Sequence, residues 1–194
     1  MNYTVYKEAR AAAWRFLIEN SVTELPVSFS SICQQSGIRI YRDTACVYLM
    51  PQEHGATFLN GGCFNVLVSG SDSLEEQRFT IAHELGHIFM RHPMNGSSLG
   101  RTFGICHHPV SPEEYQAERF AMDILAPACV LWALDVRSPE DIARLCRVSP
   151  NVAAYRAGRL RELRKRNKFL TDSLELQVLE QFAPFINRVL KKRR

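Results

Sequence analysis

Residues 71–93 read SDSLEEQRFTIAHELGHIFMRHP. Ser73 followed three positions later by Glu76 is a capping-box signature for a helix start, and Pro93 stops what Ser73 begins. Ile81, Leu85, Ile88 and Phe89 recur at helical spacing, so this helix belongs at the centre of the fold. Yet His83, Glu84 and His87 stand inside the same apolar run, and buried polar groups are costly unless something satisfies them. Any fold built around this helix has to satisfy three polar side chains near its middle.

A divalent metal does so. Residues four apart lie one turn apart on the same helix face, so His83 and His87 can aim imidazole nitrogens at a common point. Glu84 is rotated away from that point and cannot be an equivalent third ligand. It can reach a water in the metal's open position, which is the H-E-x-x-H logic of two nitrogen ligands and a carboxylate base. Zinc lowers the pKa of such a water to about 7. Three fixed residues in about 190 windows arise by accident in roughly 1% of chains, and accidents seldom fall within an apolar helix. Gly86, between the ligands, costs about 1 kcal/mol of helix stability against alanine, so it is expected to admit a close neighbour or a substrate.

A catalytic zinc site needs a third protein ligand. The candidates downstream are Glu113, Glu114, Glu118, His92, His107 and His108. SPEEYQAERFAMDILAP reads as another helix, with Ser111 as cap, Pro112 at its first position and Pro127 just past its end. Glu114 and Glu118 are four apart and border its buried stripe of Ala117, Phe120, Ala121, Ile124 and Leu125. One can ligate while the other receives the free N–H of a liganding histidine. Glu113 faces elsewhere. Glu114 also completes a capping box with Ser111, so spacing alone leaves Glu118 a rival. Tyr115, or His107 and His108 in the preceding loop, are candidates to stabilise the oxyanion of a tetrahedral intermediate.

The rest of the chain sets the frame. Its 194 residues are 46% hydrophobic and 23% charged, as in a globular protein with a sizeable core. No stretch is apolar enough to span a membrane. The N-terminal residues read as an amphipathic helix on Tyr6, Ala9, Ala13, Phe16 and Leu17, not as a secretory signal. Six cysteines without a C-x-x-C pair are expected to be reduced thiols, and the expected compartment is the cytoplasm.

IRIYR, CVYLM, ATFLN and NVLVS read as short strands around the NGG turn at 60–62. The loop 93–110, rich in glycine and serine, is long enough for a lid. SPEDIARLCRVSPNVAAYRAGRLRELRKR reads as two helices capped by Ser138 and Ser149, with a tight turn between them at 147–149. TDSLELQVLEQFAPFINRVLKKRR adds a terminal helix bent at Pro184. The expected class is therefore α+β, a small, mainly antiparallel sheet packed on a helical core. The expected division is a catalytic part over 1–130 and a basic, helix-turn-helix-like region over 131–194.

HELGH followed by E-x-x-A-x-x-F-A-x-x-x-L-x-P in EYQAERFAMDILAP resembles the ImmA/IrrE family of metallopeptidases. The surrounding RFTIAHELGHIFMRH and the upstream LPVSFSSICQQSGIRIY share that likeness. The resemblance implies a zincin-like core with a gluzincin-like site holding one zinc per chain. Matched by position, His83, His87 and Glu114 fall on the family's ligands and Glu84 on its acid/base. The family carries asparagine where this chain has Glu118, a departure that bears on its role beside the histidines. The resemblance also implies a protein substrate, a helix-turn-helix repressor of the prophage or mobile-element kind, whose cleavage relieves repression.

A second reading comes from charge. The net +4 is unevenly placed, with Arg156, Arg159, Arg161, Arg164, Lys165, Arg166 and Lys168 crowding one stretch and KKRR ending the chain. A non-proteolytic, metal-bearing regulator that binds DNA or a transcription factor fits that pattern. A solvated helix face explains it more simply. A purely structural zinc site fits less well, since such sites favour four ligands with cysteines among them.

Overall fold

The computed structural model describes residues 3–93, 100–102 and 111–192. Most of the expected 93–110 connection, with His107 and His108, lies outside the described residues. The chain is α+β and divides into two compact units, Met1–Ala9 with Ser28–Ala121 and Arg10–Val27 with Met122–Arg194. Helix α1 (Tyr3–Glu19) contributes residues to both.

The first unit holds α2 (Phe29–Gln35) and the sheet: β1 (Arg39–Asp43), β2 (Gly55–Asn60), β3 (Cys63–Ser69) and β4 (Gly100–Thr102). The spatial order is β1-β3-β2-β4. β2 and β3 form an antiparallel hairpin. Its two linking residues, Gly61 and Gly62, have φ of 57° and 79°, the left-handed backbone that a two-residue hairpin turn demands. β4 is antiparallel to β2, whereas β1 runs parallel to β3. The sheet is thus mixed, with one pairing that alternation in the sequence does not reveal.

The parallel pairing follows from a segment that is not a strand. CVYLM, expected to extend, is irregular. The Asp43 carboxylate accepts the backbone N–H groups of Val47, Tyr48 and Leu49 at 3.0, 2.9 and 2.9 Å. Those bonds curl the backbone around one side chain, and they hold the Asp43 carboxyl below its ordinary pKa. At the middle of one sheet face Thr57 and its partner Val66 are fully buried, while Leu59 on the same face is exposed. The other carries a small cluster of Leu49, Ala56 and Leu67 with Phe58 against it. The two remaining helices of this unit are α3 (Leu74–Phe89) and most of α4 (Pro112–Leu125).

The second unit is helical: the end of α4, then α5 (Ala128–Ala133), α6 (Pro139–Cys146), α7 (Pro150–Lys165), α8 (Ser173–Gln181) and α9 (Ala183–Lys192). Ser138 and Ser149 cap α6 and α7 by accepting from Asp141 N and Val152 N. Arg147, in the left-handed region at φ 50°, turns the chain between them. The helices close on Leu131, Leu134, Ile142, Leu160 and Phe182, none of them exposed. Gln181 donates to the carbonyls of Leu17 and Val22, tying α8 to the end of α1. The terminal helix breaks at Phe182, with Pro184 the second residue of α9, where its missing N–H costs no helical bond.

Inside this unit Arg156 and Asp123, 3% and 4% exposed, form an ion pair at 2.7 Å. Arg156 Nε also donates to the Ala126 carbonyl just past the end of α4. Among the described residues, Cys33, Cys46, Cys63, Cys129 and Cys146 form no disulfide. Burial pushes Cys33 up to about 11 and Cys129 up to about 12, so both stay protonated and unreactive. Among the described residues no helix is long and apolar enough to cross a membrane.

Candidate metal centre

Helix α3 begins firmly. Ser73 Oγ accepts from Glu76 N at 3.2 Å while Glu76 Oε2 accepts from Ser73 N at 3.0 Å. Glu75 and Glu76 add negative charge to the first turn, where the helix dipole favours it. One turn apart further along, His83 and His87 are 4% and 7% exposed, and Glu84 between them is fully buried. The two Nε2 atoms lie 3.0 Å apart.

Helix α4 supplies the third group. Glu114 Oε2 is 3.2 Å from His83 Nε2, and Glu114 Oε1 is 3.4 Å from His87 Nε2. The competing capping role is divided between two glutamates. The Ser111 hydroxyl accepts the Glu114 backbone N–H at 3.2 Å, while Glu113 is the carboxylate bonded to Ser111. The Glu114 side chain is thereby left to the histidines. Burial would raise its pKa, but hydrogen bonds from His83 and His87, and their charges, outweigh burial and hold it well below the usual carboxylate range.

His83, His87 and Glu114 are the group of side chains among the described residues that could hold a metal ion. Zinc bonds to nitrogen and oxygen of about 2.0–2.1 Å, in tetrahedral geometry, imply ligand–ligand separations of about 3.3 Å. The separations of 3.0, 3.2 and 3.4 Å match one face of that tetrahedron. Two imidazoles and a carboxylate also suit zinc chemically and leave a coordination position for water or substrate.

Packing between α3 and α4 sets these separations. A Cβ on Gly86 would lie 3.0 Å from Ala117 Cα, 3.2 Å from the Ala117 carbonyl oxygen and 3.2 Å from Phe120 Cδ1. Gly86 therefore admits a close neighbour, the α4 backbone itself. Ala117 sits three residues after Glu114, so the same contact brings that carboxylate down onto the histidines.

Around this centre stand further groups, of which the sequence patterns mark His92, Glu118 and Tyr115 but not Thr57. Thr57 Oγ1, on β2, donates to Glu84 Oε2 at 2.5 Å, with both residues fully buried. The only signal for it was a hydroxyl on the buried face of a short strand. His92 lies with Nδ1 3.0 Å from His87 Nδ1 and Nε2 3.1 Å from Gln116 Oε1. Burial, and then the charge of His87, lower its pKa. The Nδ1 of His83 is buried without a hydrogen-bond partner among the described residues. Neither outer histidine nitrogen is bonded to Glu118, which is half-buried one turn along α4. Tyr115 is half-buried, its ring 5.9 Å from the Arg119 guanidinium.

A peptidase family model, M78, described as the IrrE N-terminal-like domain, matches residues 33–157. That span contains His83, Glu84, His87 and Glu114 and runs into α7. No curated protein matches the chain.

Proposed function

Since the chain belongs to the IrrE N-terminal-like family of peptidases, we propose that it is a zinc-dependent endopeptidase that cleaves a helix-turn-helix repressor. The observation that carries this reading is the meeting of three donor atoms, from His83, His87 and Glu114, beside the buried carboxylate of Glu84. One helix bearing both histidines, with a small sheet in the same unit, fits a zincin-like core.

His83 and His87 would hold the metal through Nε2, and Glu114 through its carboxylate. Zinc bound there supplies Lewis acidity toward a carbonyl and makes water more acidic. Glu84 takes a proton from water and delivers it to the nitrogen of the leaving amine. Thr57 fixes Glu84 Oε2 by its hydrogen bond, so the carboxylate is oriented before substrate arrives. The edges of the sheet, β1 and β4, offer backbone groups to an extended segment of substrate. The repressor as substrate draws its support from the likeness of HELGH and EYQAERFAMDILAP to the ImmA/IrrE pattern.

Zinc per chain in wild-type protein and in His87→Ala, Glu114→Ala, Glu118→Ala and Glu84→Gln tests the centre. Near-stoichiometric zinc is expected in wild type and Glu84→Gln, with loss in His87→Ala and Glu114→Ala. Loss confined to Glu118→Ala would transfer the ligand role to that residue. Cleavage of a cognate repressor by wild type but not by Glu84→Gln tests the reaction. A Glu84→Gln protein that cleaves at the wild-type rate would sink the mechanism.

A further inference from the structure

We propose that the α6–α7 pair is a second binding site, one that lays α7 into the major groove of double-stranded DNA, independently of the metal centre. Between Arg144 and Lys168 nine side chains are basic and one, Glu162, is acidic. Subtracting these from the chain's 24 basic and 20 acidic residues leaves 15 and 19, so the rest of the protein is net negative. The net positive charge of the chain is therefore concentrated in the end of α6, in α7 and in the residues just after it.

Helix α7 divides into two faces. Val152, Ala153, Arg156, Ala157 and Leu160 are buried within the helical unit. The opposite face exposes Asn151, Ala154, Tyr155, Arg161 and Lys165 to solvent. The buried Arg156–Asp123 pair and the bond from Arg156 to Ala126 O fix the rotation of α7, so this face is presented rigidly. Near the N-terminus it carries Asn151 and Tyr155, which can hydrogen-bond base edges or phosphates. Ala154 and the half-buried Gly158 leave its middle shallow, allowing close approach of another surface. Toward its C-terminus and just beyond it becomes cationic, with Arg161 and Lys165 on the helix and Arg166 and Lys168 after it all exposed.

A polar, narrow-waisted helix with a basic end matches the major groove, which admits one α-helix and is walled by phosphates. Duplex RNA does not fit, because its major groove is too deep and narrow for side chains to read. Ser149 caps α7 and Arg147 turns the chain sharply before it. That geometry puts the start of α7 at the tip of the helix pair, where a groove-reading helix needs it.

The test is fluorescence anisotropy of the full chain against a fluorescein-labelled DNA duplex of mixed sequence. If Arg161, Lys165, Arg166 and Lys168 each reach a phosphate, the slope of log affinity against log salt is about −3.6, an affinity loss of about 150-fold between 50 and 200 mM salt. The triple variant Arg161→Gln/Arg166→Gln/Lys168→Gln should bind more weakly at 50 mM, with a slope reduced to about −0.9. Tyr155→Ala, which removes no charge, should weaken binding while leaving the slope unchanged. All these side chains are exposed, so each variant should melt with the wild type. Absence of binding at 50 mM salt overturns the proposal, as does a triple variant with the wild-type slope. Tighter binding to single strands than to duplex overturns the groove geometry. Equal affinity for polyglutamate would assign the surface to an acidic protein instead.

Discussion

Replacing Gly86 by alanine should weaken zinc binding more than it weakens the fold. The added methyl would sit 3.0 Å from Ala117 Cα and 3.2 Å from the Ala117 carbonyl oxygen. Carbon atoms in contact prefer about 3.5–4.0 Å, so α4 must retreat by a few tenths of an ångström or more. Overpacking of this kind costs about 1–3 kcal/mol, and the alanine returns about 1 kcal/mol of helix propensity. The net destabilisation is then about 0–2 kcal/mol. At about 2–4 °C per kcal/mol for a chain of this length, Tm falls by no more than several degrees. Glu114 lies one turn from Ala117 on the same helix, and metal–ligand distances tolerate only about 0.2 Å. Displacement of groups that orient a metal site typically costs about 10–100-fold in affinity. Competition against a chromophoric chelator gives the zinc affinity, and thermal unfolding of the metal-free protein gives the stability term separately. Because both α4 obstacles at Ala117 are backbone atoms, adding Ala117→Gly should not restore binding. Wild-type zinc affinity in Gly86→Ala, or rescue by Ala117→Gly, would refute the packing argument.

Three further outcomes follow from the same geometry. Arg156→Met strands the buried Asp123 carboxylate and should cost about 3–5 kcal/mol in urea unfolding, with much of the loss recovered when Asp123→Asn is added. Thr57→Val should keep full zinc content but lower kcat on the cleaved repressor about 10–100-fold, while Thr57→Ser retains the rate; equal rates for both variants would remove Thr57 from the mechanism. Burial raises the pKa of Glu175 in the folded protein, so its ionisation opposes folding and stability is lost as pH rises through that folded value. Glu175→Gln should therefore melt higher than wild type at neutral pH, and the gap should close near pH 4, below the unfolded-state value of about 4.3.

Much of the local structure was legible because it depends on neighbours in the chain. The capping box at Ser73 and Glu76, the caps at Ser138 and Ser149, and the glycine pair of the hairpin all use bonds spanning two to four residues. CVYLM departs from the expected strand for an equally local reason. Its composition favours a strand, but the Asp43 carboxylate four to six residues earlier takes the N–H groups that a strand would offer. The parallel β1–β3 pairing was hidden because alternation reports which face is buried, not which strand lies alongside.

At the candidate site the division is equally sharp. Helical periodicity alone determined that His83 and His87 share a face and that Glu84 lies beside them. It could not decide between Glu114 and Glu118, since both border the buried side of α4 at the same spacing. The approach of α4 to Gly86 carries the carboxylate of Glu114 to 3.2 and 3.4 Å from the histidines, a placement that spacing does not specify. The bond from Thr57 to Glu84 joins residues 27 positions apart, and no local pattern encodes such a distance. Local order along the chain encodes the set of side chains each helix can present. Which of them meet was decided by the contact between helices and sheet, because side-chain chemistry acts over about 3 Å and only packing brings distant segments that close.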